Sequence, residues 1–264
     1  MSRPRHPKDT LVSKFLAGVL WLVGLCWMIP MMTTMMVLGF VFGPDRTDWF
    51  SRIYTRVQVF LTGCKYKVIV HPDISDNGVY LFAQNHTNIL DHVILYHATP
   101  HFKQGLELES HFRIPVYGWF MKSRGTIPVR PGRRRQTKAI MNHMLSEIAK
   151  KHSILAFPEA HRTLDGSVHR FHRGVFHIAR DLSLPVVPVA ITGWYETKRK
   201  GSWIIRPGYR VTVHCLQPIP TAGLSNEEVD AIAIRAQKAV SGVIEEYWHS
   251  PPAMVAPHGQ QGAE

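Results

Sequence analysis

The pattern of hydrophobic positions divides the chain into three regions. From Phe15 to Gly43 there is no charged residue, and Leu, Val, Met and Trp dominate. After this run, short apolar stretches typical of buried strands alternate with stretches whose apolar residues recur at helical spacing. The tail 250–264 is rich in Pro and Gly, a composition that predicts disorder. We therefore divide the chain into a basic leader 1–14, an apolar segment 15–43, a domain 44–249 and the tail.

The apolar segment is long enough to be a membrane element. Pro30 separates a half of 15 residues (15–29) from one of 13 (31–43). As helices these halves would be ~20 Å long, short of a hydrocarbon core of ~30 Å. A single kinked span and a re-entrant or interfacial hairpin both remain open, and basic residues at both ends favour the hairpin with cytoplasmic ends. A cleaved signal peptide is disfavoured, because no alanine between Ala17 and Ala83 can form an Ala-x-Ala cleavage site.

Strand-like and helix-like stretches alternate through the domain, which predicts an α/β layered fold. The uninterrupted apolar stretch LPVVPVAI is typical of a strand that is covered on both faces. The predicted strands are 66–72, 79–84, 105–109, 125–130, 153–159, 184–193 and 209–219, and the predicted helices are 88–98, 113–123, 133–152, 174–182 and 225–248. The last helix opens with a capping-box pattern, Ser225 followed by Glu228.

Four residues that could contribute to a binding site lie at or just past the carboxyl ends of predicted strands. They are the turn residue Gly193 and three residues with reactive or charged side chains, His86, Arg130 and Glu159. In layered α/β folds the loops at these ends meet and form the binding site. The coincidence therefore predicts one shared site.

A base and a residue that orients it are predicted at the first of these ends. An imidazole such as that of His86 titrates near a pKa of about 6.5 and suits proton removal. Asp91, five residues later, can reach back to the ring across a tight loop. The chain has no Gly-x-Ser-x-Gly elbow and no convincing catalytic cysteine, so a substrate hydroxyl is the expected nucleophile. Arg130 and Arg162 are candidate phosphate ligands, and Glu159 could bind a hydroxyl or hold an arginine.

Composition narrows the choice of partner. The formal charge of +12 favours an anionic partner, such as a membrane surface, nucleic acid or a phosphorylated substrate. No recognition motif for nucleic acid is present, so we expect none to bind. Three widely spaced cysteines do not suggest a disulfide framework, and the histidine spacings fit no metal site. A basic membrane-surface binding protein without turnover is the competing class.

Four sequence blocks resemble the glycerolipid acyltransferases of the lysophosphatidic acid acyltransferase type. NHTNILD (85–91) resembles the Asn-His-x4-Asp block, and RIPVYGWFMKSRGTIPVR (113–130) resembles the second block, which ends in arginine. FPEAHRT (157–163) is similar to the third block, usually Phe-Pro-Glu-Gly-Thr-Arg-Ser, and LPVVPVAITG (184–193) to the region leading into the fourth. The resemblance covers roughly residues 65–220 and implies a mixed, mostly parallel sheet behind an N-terminal membrane anchor.

The resemblance implies transfer of an acyl chain from acyl-CoA or acyl carrier protein, as co-substrate, to lysophosphatidic acid, with no metal or other cofactor. His86 would deprotonate the acceptor hydroxyl and Asp91 would orient it. Membrane lipids would be partners, at the cytoplasmic face of the inner membrane. The implied substrate-binding residues are Asn85, Gly125, Arg130, Pro158, Glu159 and Arg162.

The chain departs from the family pattern beside the expected phosphate site. Ala160 and His161 replace the usual Gly-Thr, Thr163 replaces Ser, and Pro128 and Val129 precede Arg130. These changes leave the His86–Asp91 pair intact and bear on the acceptor instead. Acylation of another lysolipid, either lyso-ornithine lipid or a lysophospholipid in remodelling, is therefore the alternative.

Overall fold

The apolar segment forms one long helix. The structure, a computed structural model, describes residues 9–96, 98–130 and 137–249. Helix α1 (Leu11–Phe42) starts at a capping box between Thr10 and Ser13 and continues through Pro30. The predicted hairpin within residues 15–43 is therefore wrong, because no turn interrupts the helix at Pro30. At 32 residues α1 is about 48 Å long.

A second N-terminal helix, which the sequence analysis missed, follows the turn after α1. Helix α2 (Asp48–Leu61) packs against α1 around Met32, Met35 and Tyr54. Its apolar residues are interrupted by polar ones at most turns, so it lacks the continuous hydrophobicity that makes α1 visible. Large apolar side chains remain exposed along both helices, including Phe15, Leu22, Phe40, Trp49 and Phe60.

Seven strands form one sheet in the order β1-β7-β6-β2-β5-β3-β4. All neighbours run parallel except β6 and β7, which are antiparallel. This arrangement confirms the mixed, mostly parallel sheet. The strands are β1 (Lys65–Val70), β2 (Leu81–Gln84), β3 (Lys103–Leu108), β4 (Ile127–Val129), β5 (Ser153–Ala156), β6 (Val186–Thr192) and β7 (Arg210–Cys215).

Helices cover both faces of the sheet, as the uninterrupted apolar strands predicted. Alternate residues of β2 separate into two cores: Leu81 and Ala83 pack on one face, and Phe82 on the other. The remaining helices are α3 (Asp91–Tyr96), α4 (Tyr117–Arg124), α5 (Thr137–Ala149), α6 (Gly174–Asp181), α7 (Trp194–Thr197) and α8 (Asn226–His249).

Local signals placed most helices correctly, with two corrections. The predicted helix 113–123 is a 3-10 turn, Glu109–Arg113, followed by α4. The short α7 was not predicted, and it follows Gly193, whose positive φ of 75° and closeness to a carbonyl exclude a side chain. The capping box of α8 is present, because Ser225 Oγ accepts from the Glu228 N–H and Glu228 Oε2 accepts from the Ser225 N–H. The predicted disordered tail, 250–264, and leader residues 1–8 lie outside the described residues.

Candidate active site

His86 and Asp91 meet at the carboxyl end of the central strand β2. The Nδ1 atom of His86 lies 2.7 Å from Oδ2 of Asp91. The carboxylate is almost fully buried, whereas 21% of the His86 side chain is exposed. Since Nδ1 is held by the carboxylate, Nε2 is the nitrogen left for a substrate. The predicted contact is present, and the catalytic roles of the two residues stay predictions.

The backbone folds around Asp91 and fixes its orientation. Oδ2 also accepts hydrogen bonds from the N–H groups of Thr87 (2.6 Å) and Asn88 (3.0 Å), and Oδ1 accepts one from the Thr87 hydroxyl at 3.2 Å. The imidazole ring stacks on Phe157, with ring centroids 4.2 Å apart. The carboxylate and this aromatic face together restrict the ring to one plane. Phe157 belongs to the quoted FPE block, but its contact with His86 was not foreseen.

Glu159 ties the His86 loop to the neighbouring loop. Its Oε1 accepts from the His86 N–H at 2.7 Å, and its Oε2 accepts from the His169 N–H at 2.8 Å. Burial raises the pKa of Glu159 to about 7, although both hydrogen bonds favour the ionised form. Glu159 thus orders the backbone of the site. Its bonds go to backbone donors, not to an arginine as one of the two predicted alternatives had it.

Arg162 lies beside the catalytic loop. The N–H of the next residue, Thr163, donates to the His86 carbonyl at 2.8 Å, which joins the loops after β2 and β5. The Arg162 side chain is half-buried. Among the described residues its guanidinium has no carboxylate partner. A half-buried guanidinium that no described carboxylate neutralises, on the loop joined to the His86 loop, is suited to an anionic ligand.

Arg130 is farther away and already engaged. It follows β4, which lies three strands from β2 in the sheet. At a spacing of about 4.8 Å per strand this is a lateral separation of roughly 14 Å. Both Nε and Nη2 of Arg130 donate to the carboxylate of Glu109. Arg130 thus contacts Glu109 at the end of β4, and its role as a phosphate ligand together with Arg162 stays a prediction.

Three further residues predicted to bind substrate make contacts within the protein, and their roles toward a ligand stay predictions. The Asn85 amide is buried and exchanges hydrogen bonds with the backbone of Ile191, which anchors the start of the catalytic loop to β6. Gly125 ends α4 with φ of 88°, a conformation that glycine adopts easily. Pro158 is buried, and its carbonyl accepts from the His172 N–H at 2.8 Å. None of the three presents a side-chain group to a ligand.

Two residues left open by the sequence also have defined surroundings. His92 lies near the rings of Tyr96 and Tyr117, and burial lowers its pKa. Ala160, where the family usually has glycine, has a positive φ of 60° and is exposed. The glycine preference therefore reflects the backbone of the turn that begins at Phe157. His161 is exposed as well.

Within the described residues no cluster of three His, Cys, Asp or Glu could hold a metal ion.

The fold and the site combine a layered α/β sheet with a contacting histidine–aspartate pair at the carboxyl ends of its strands. A family model described as Acyltransferase matches residues 65–192. The 1-acyl-sn-glycerol-3-phosphate acyltransferase of Saccharomyces cerevisiae is 25% identical over 214 residues, covering 77% of this chain and 68% of the yeast protein. The chain is similar to this family over those residues and is an acyltransferase, as the four blocks predicted.

Other similar proteins extend this comparison. A 1-acyl-sn-glycerol-3-phosphate acyltransferase of Chlamydomonas reinhardtii is 28% identical over 66% of this chain, which spans only 49% of that protein. The crystal structure of the 1-acyl-sn-glycerophosphate acyltransferase of Thermotoga maritima superimposes with a TM-score of 0.77 over 92% of this chain and 98% of that one. At 18% identity this likeness supports the fold alone.

Proposed function

We propose that the protein is a 1-acylglycerol-3-phosphate O-acyltransferase that converts lysophosphatidic acid into phosphatidic acid. The observation that carries the proposal is the 2.7 Å His86–Asp91 contact, with a partly exposed ring beside the unneutralised Arg162 loop. The named activity of the yeast and algal relatives supports this choice of acceptor.

The proposed reaction needs only the residues described and two substrates. Nε2 of His86 takes the proton from the free hydroxyl of the lysolipid as its oxygen attacks the thioester carbonyl carbon. Asp91 stabilises the imidazolium that forms. The tetrahedral intermediate collapses, the carbon–sulfur bond breaks, and the imidazolium proton passes to the leaving thiolate. The products are the acylated phospholipid and the free thiol of coenzyme A or acyl carrier protein.

A lipid acceptor fits the N-terminal helices. Helix α1 is long and apolar enough to cross a membrane, and only 17% of its most hydrophobic 18-residue window is buried against the protein. Such exposed apolar surface is stable in contact with lipid, so the protein is membrane-associated. We propose that it acts at the cytoplasmic face of the inner membrane, where an acyl thioester in the cytoplasm meets a lysolipid in the bilayer.

An acceptor panel tests the proposal. Full-length protein in mixed micelles is given one acyl-CoA and, separately, lysophosphatidic acid, lysophosphatidylethanolamine, lyso-ornithine lipid or monoacylglycerol. Released thiol and the mass of the product are measured. We expect lysophosphatidic acid to give the highest kcat/KM and release of thiol only when both substrates are present. A higher value for another lysolipid would replace the proposed acceptor while leaving the acyl-transfer chemistry in place.

One observation favours the second candidate, a different lysolipid acceptor. The departures from the family pattern at Ala160 and His161 are both exposed on the turn directly before Arg162. Side chains at these positions can contact a headgroup without changing the catalytic pair.

The acyl donor is tested separately. Repeating the panel with acyl carrier protein in place of coenzyme A decides which donor is used.

A further inference from the structure

A second cationic residue stands next to Arg162, and it comes from a part of the chain that no sequence block includes. The stretch KRK (198–200) follows α7, which itself follows β6. Nζ of Lys200 donates to the backbone carbonyl of Arg162 at 3.3 Å. Strand β2 has β6 on one side and β5 on the other. Lys200 and Arg162 therefore come from the two loops that flank the His86 loop.

The cations at this place lack compensating acids. In the described parts of the chain, no carboxylate pairs with Arg162, Lys198 or Lys200. Lys198 is almost fully buried, and its Nζ donates to the carbonyl of Ser202 at 2.9 Å. Burial, and next the charge of Arg162, lower the pKa of Lys198. Like charges held together without acids create a strongly positive site, which an anion stabilises.

The same loop is attached to the apolar helix. Nζ of Lys198 lies 5.9 Å from the ring centre of Trp21 on α1. The indole N–H of Trp21 donates to the carbonyl of Trp203 at 2.7 Å, and about half of the Trp203 side chain is exposed. Tryptophan is enriched at the level of lipid headgroups. A membrane that held Trp21 and Trp203 at its headgroup level would bring lipid phosphates to the height of the positive site.

We propose that Lys200 is a substrate-binding residue that, with Arg162, receives the phosphate of the acceptor lipid, while Lys198 stiffens the loop and adds to its positive potential. Arg162 has five N–H donors and Lys200 has two beyond the bond it already makes. Together they can contact a phosphate from both sides of the catalytic loop. This inference rests on the proposed acceptor and names the residues that select it.

Steady-state kinetics of Lys200→Ala test the inference, with lysophosphatidic acid and acyl-CoA varied in turn. Loss of a hydrogen bond to a charged group predicts a KM for lysophosphatidic acid raised roughly tenfold. The KM for acyl-CoA and the slow turnover of monoacylglycerol should not change. Lys200→Arg should restore the KM to within about threefold, since it keeps the charge.

A matched variant separates this effect from general attraction to anionic micelles. Lys138→Ala removes the same charge from the exposed first turn of α5 and should leave both KM values unchanged. If Lys200→Ala instead raises the KM for acyl-CoA, the phosphate belongs to coenzyme A and the inference is wrong. If Lys200→Ala leaves both KM values unchanged, Lys200 is a surface lysine and the inference is also wrong.

A binding measurement keeps this result distinct from the proposed function. Glycerol 3-phosphate is titrated into detergent-solubilised full-length protein by calorimetry. Should the wild type acylate no phosphate-bearing lysolipid, the proposed function fails. The phosphate site is then judged by this titration alone. Weaker binding in Lys200→Ala, but not in Lys138→Ala, would support the site, and equal binding in the two variants would overturn it.

Discussion

Two histidine–carboxylate pairs in this protein have the same contact distance and different surroundings. His86 and Asp91 are five residues apart with Nδ1 and Oδ2 at 2.7 Å, and His152 and Glu147 are five residues apart with Nδ1 and Oε2 at 2.7 Å. Each imidazole also packs on a phenylalanine, with centroids 4.2 Å apart at Phe157 and 4.4 Å apart at Phe102. The two pairs share these contact distances and differ locally only in ring orientation, which is stacked at 23° for His86 and tilted at 52° for His152.

Their places on the sheet distinguish them. His86 follows β2 and His152 precedes β5, and these strands are parallel neighbours, so the pairs lie at opposite edges. The His86 side chain is 21% exposed, whereas that of His152 is 7% exposed. Only the His86 edge also carries Arg162 and Lys200. A histidine–carboxylate contact thus indicates a catalytic site only where the loops leave the imidazole accessible to substrate.

The largest contrast is expected from removing each imidazole. His86→Ala should lower kcat by about 10²–10⁴-fold, because the general base is lost. It should lower the melting temperature less than His152→Ala does, because Asp91 keeps its hydrogen bonds from Thr87 and Asn88. His152→Ala should keep activity within about threefold and lower the free energy of unfolding by about 1–3 kcal/mol, since Glu147 loses a buried partner. Thiol release and thermal unfolding measure both effects. An active His86→Ala enzyme would remove the basis for the distinction.

Replacing each carboxylate by its amide sharpens the comparison. Asp91→Asn should lower kcat about 100-fold, because the imidazolium loses its counter-charge. In addition, the new NH2 group can only donate, so it cannot accept the hydrogen bonds of both backbone N–H groups that now point at the carboxylate. Glu147→Gln should reduce stability and leave kcat within about threefold. The ratio of the two kcat values, measured on protein shown to be folded, is the readout. Equal losses would place both pairs in the reaction.

Glu159, which holds the His86 loop, and Glu147, the partner of His152, predict opposite dependences of stability on pH. Burial raises the pKa of Glu159 from 4.5 to about 7, so the folded state binds its proton more tightly and stability falls as pH rises from 4.5 to 7. Burial also acts to raise the pKa of Glu147, but hydrogen bonds from His152, Lys150 and Gln104 outweigh it, and the pKa is lowered. Its contribution is present above pH 4.5 and is lost as pH falls through the lowered value.

Denaturant unfolding of the wild type and two variants across pH 3–8 measures these contributions. Glu159→Gln should flatten the decline between about pH 4.5 and 7, by about 2–3 kcal/mol. Glu147→Gln should instead flatten the acid limb below that range. An unchanged profile in Glu159→Gln would show that this carboxyl is ionised in the folded protein throughout the range.

The smallest effects concern two turn residues beside the pairs. Ala160 and Lys151 have positive φ values of 60° and 62°. Glycine at either position removes side-chain strain but adds freedom to the unfolded chain, so stability should change by less than about 1 kcal/mol. Ala160→Gly should shift the ratio of kcat/KM between two lysolipids, while Lys151→Gly should not. Equal ratios in the two variants would exclude the Ala160 turn from acceptor choice.

Strand positions and the His86–Asp91 contact could be predicted because both depend on short stretches of chain. A run such as LPVVPVAI is apolar at every position only if both faces are covered, and β6 is buried throughout. The spacing of five residues between His86 and Asp91 suffices for contact across a tight loop. Helix α2 escaped prediction because its stability comes from packing on α1 and not from an unbroken hydrophobic pattern.

The cationic residues could not be sorted in the same way. Arg130 and Arg162 both follow strands. Nothing in the nearby sequence shows that Arg130 follows a strand three places from β2 and pairs with Glu109. Lys200 is 38 residues from Arg162 along the chain, and only the placement of β6 and β5 on either side of β2 brings them together.

The sequence by itself determined the layered α/β class, the apolar N-terminal segment, the similarity to acyltransferases and the His86–Asp91 contact. These follow from patterns within about twenty consecutive residues, where local geometry and hydrophobic burial dominate. Only the tertiary structure decided that α1 is one helix, that His152–Glu147 is the buried counterpart of the site, and that Arg162 is joined by Lys200. Those outcomes depend on strand order and on packing between distant segments, which a linear pattern does not encode.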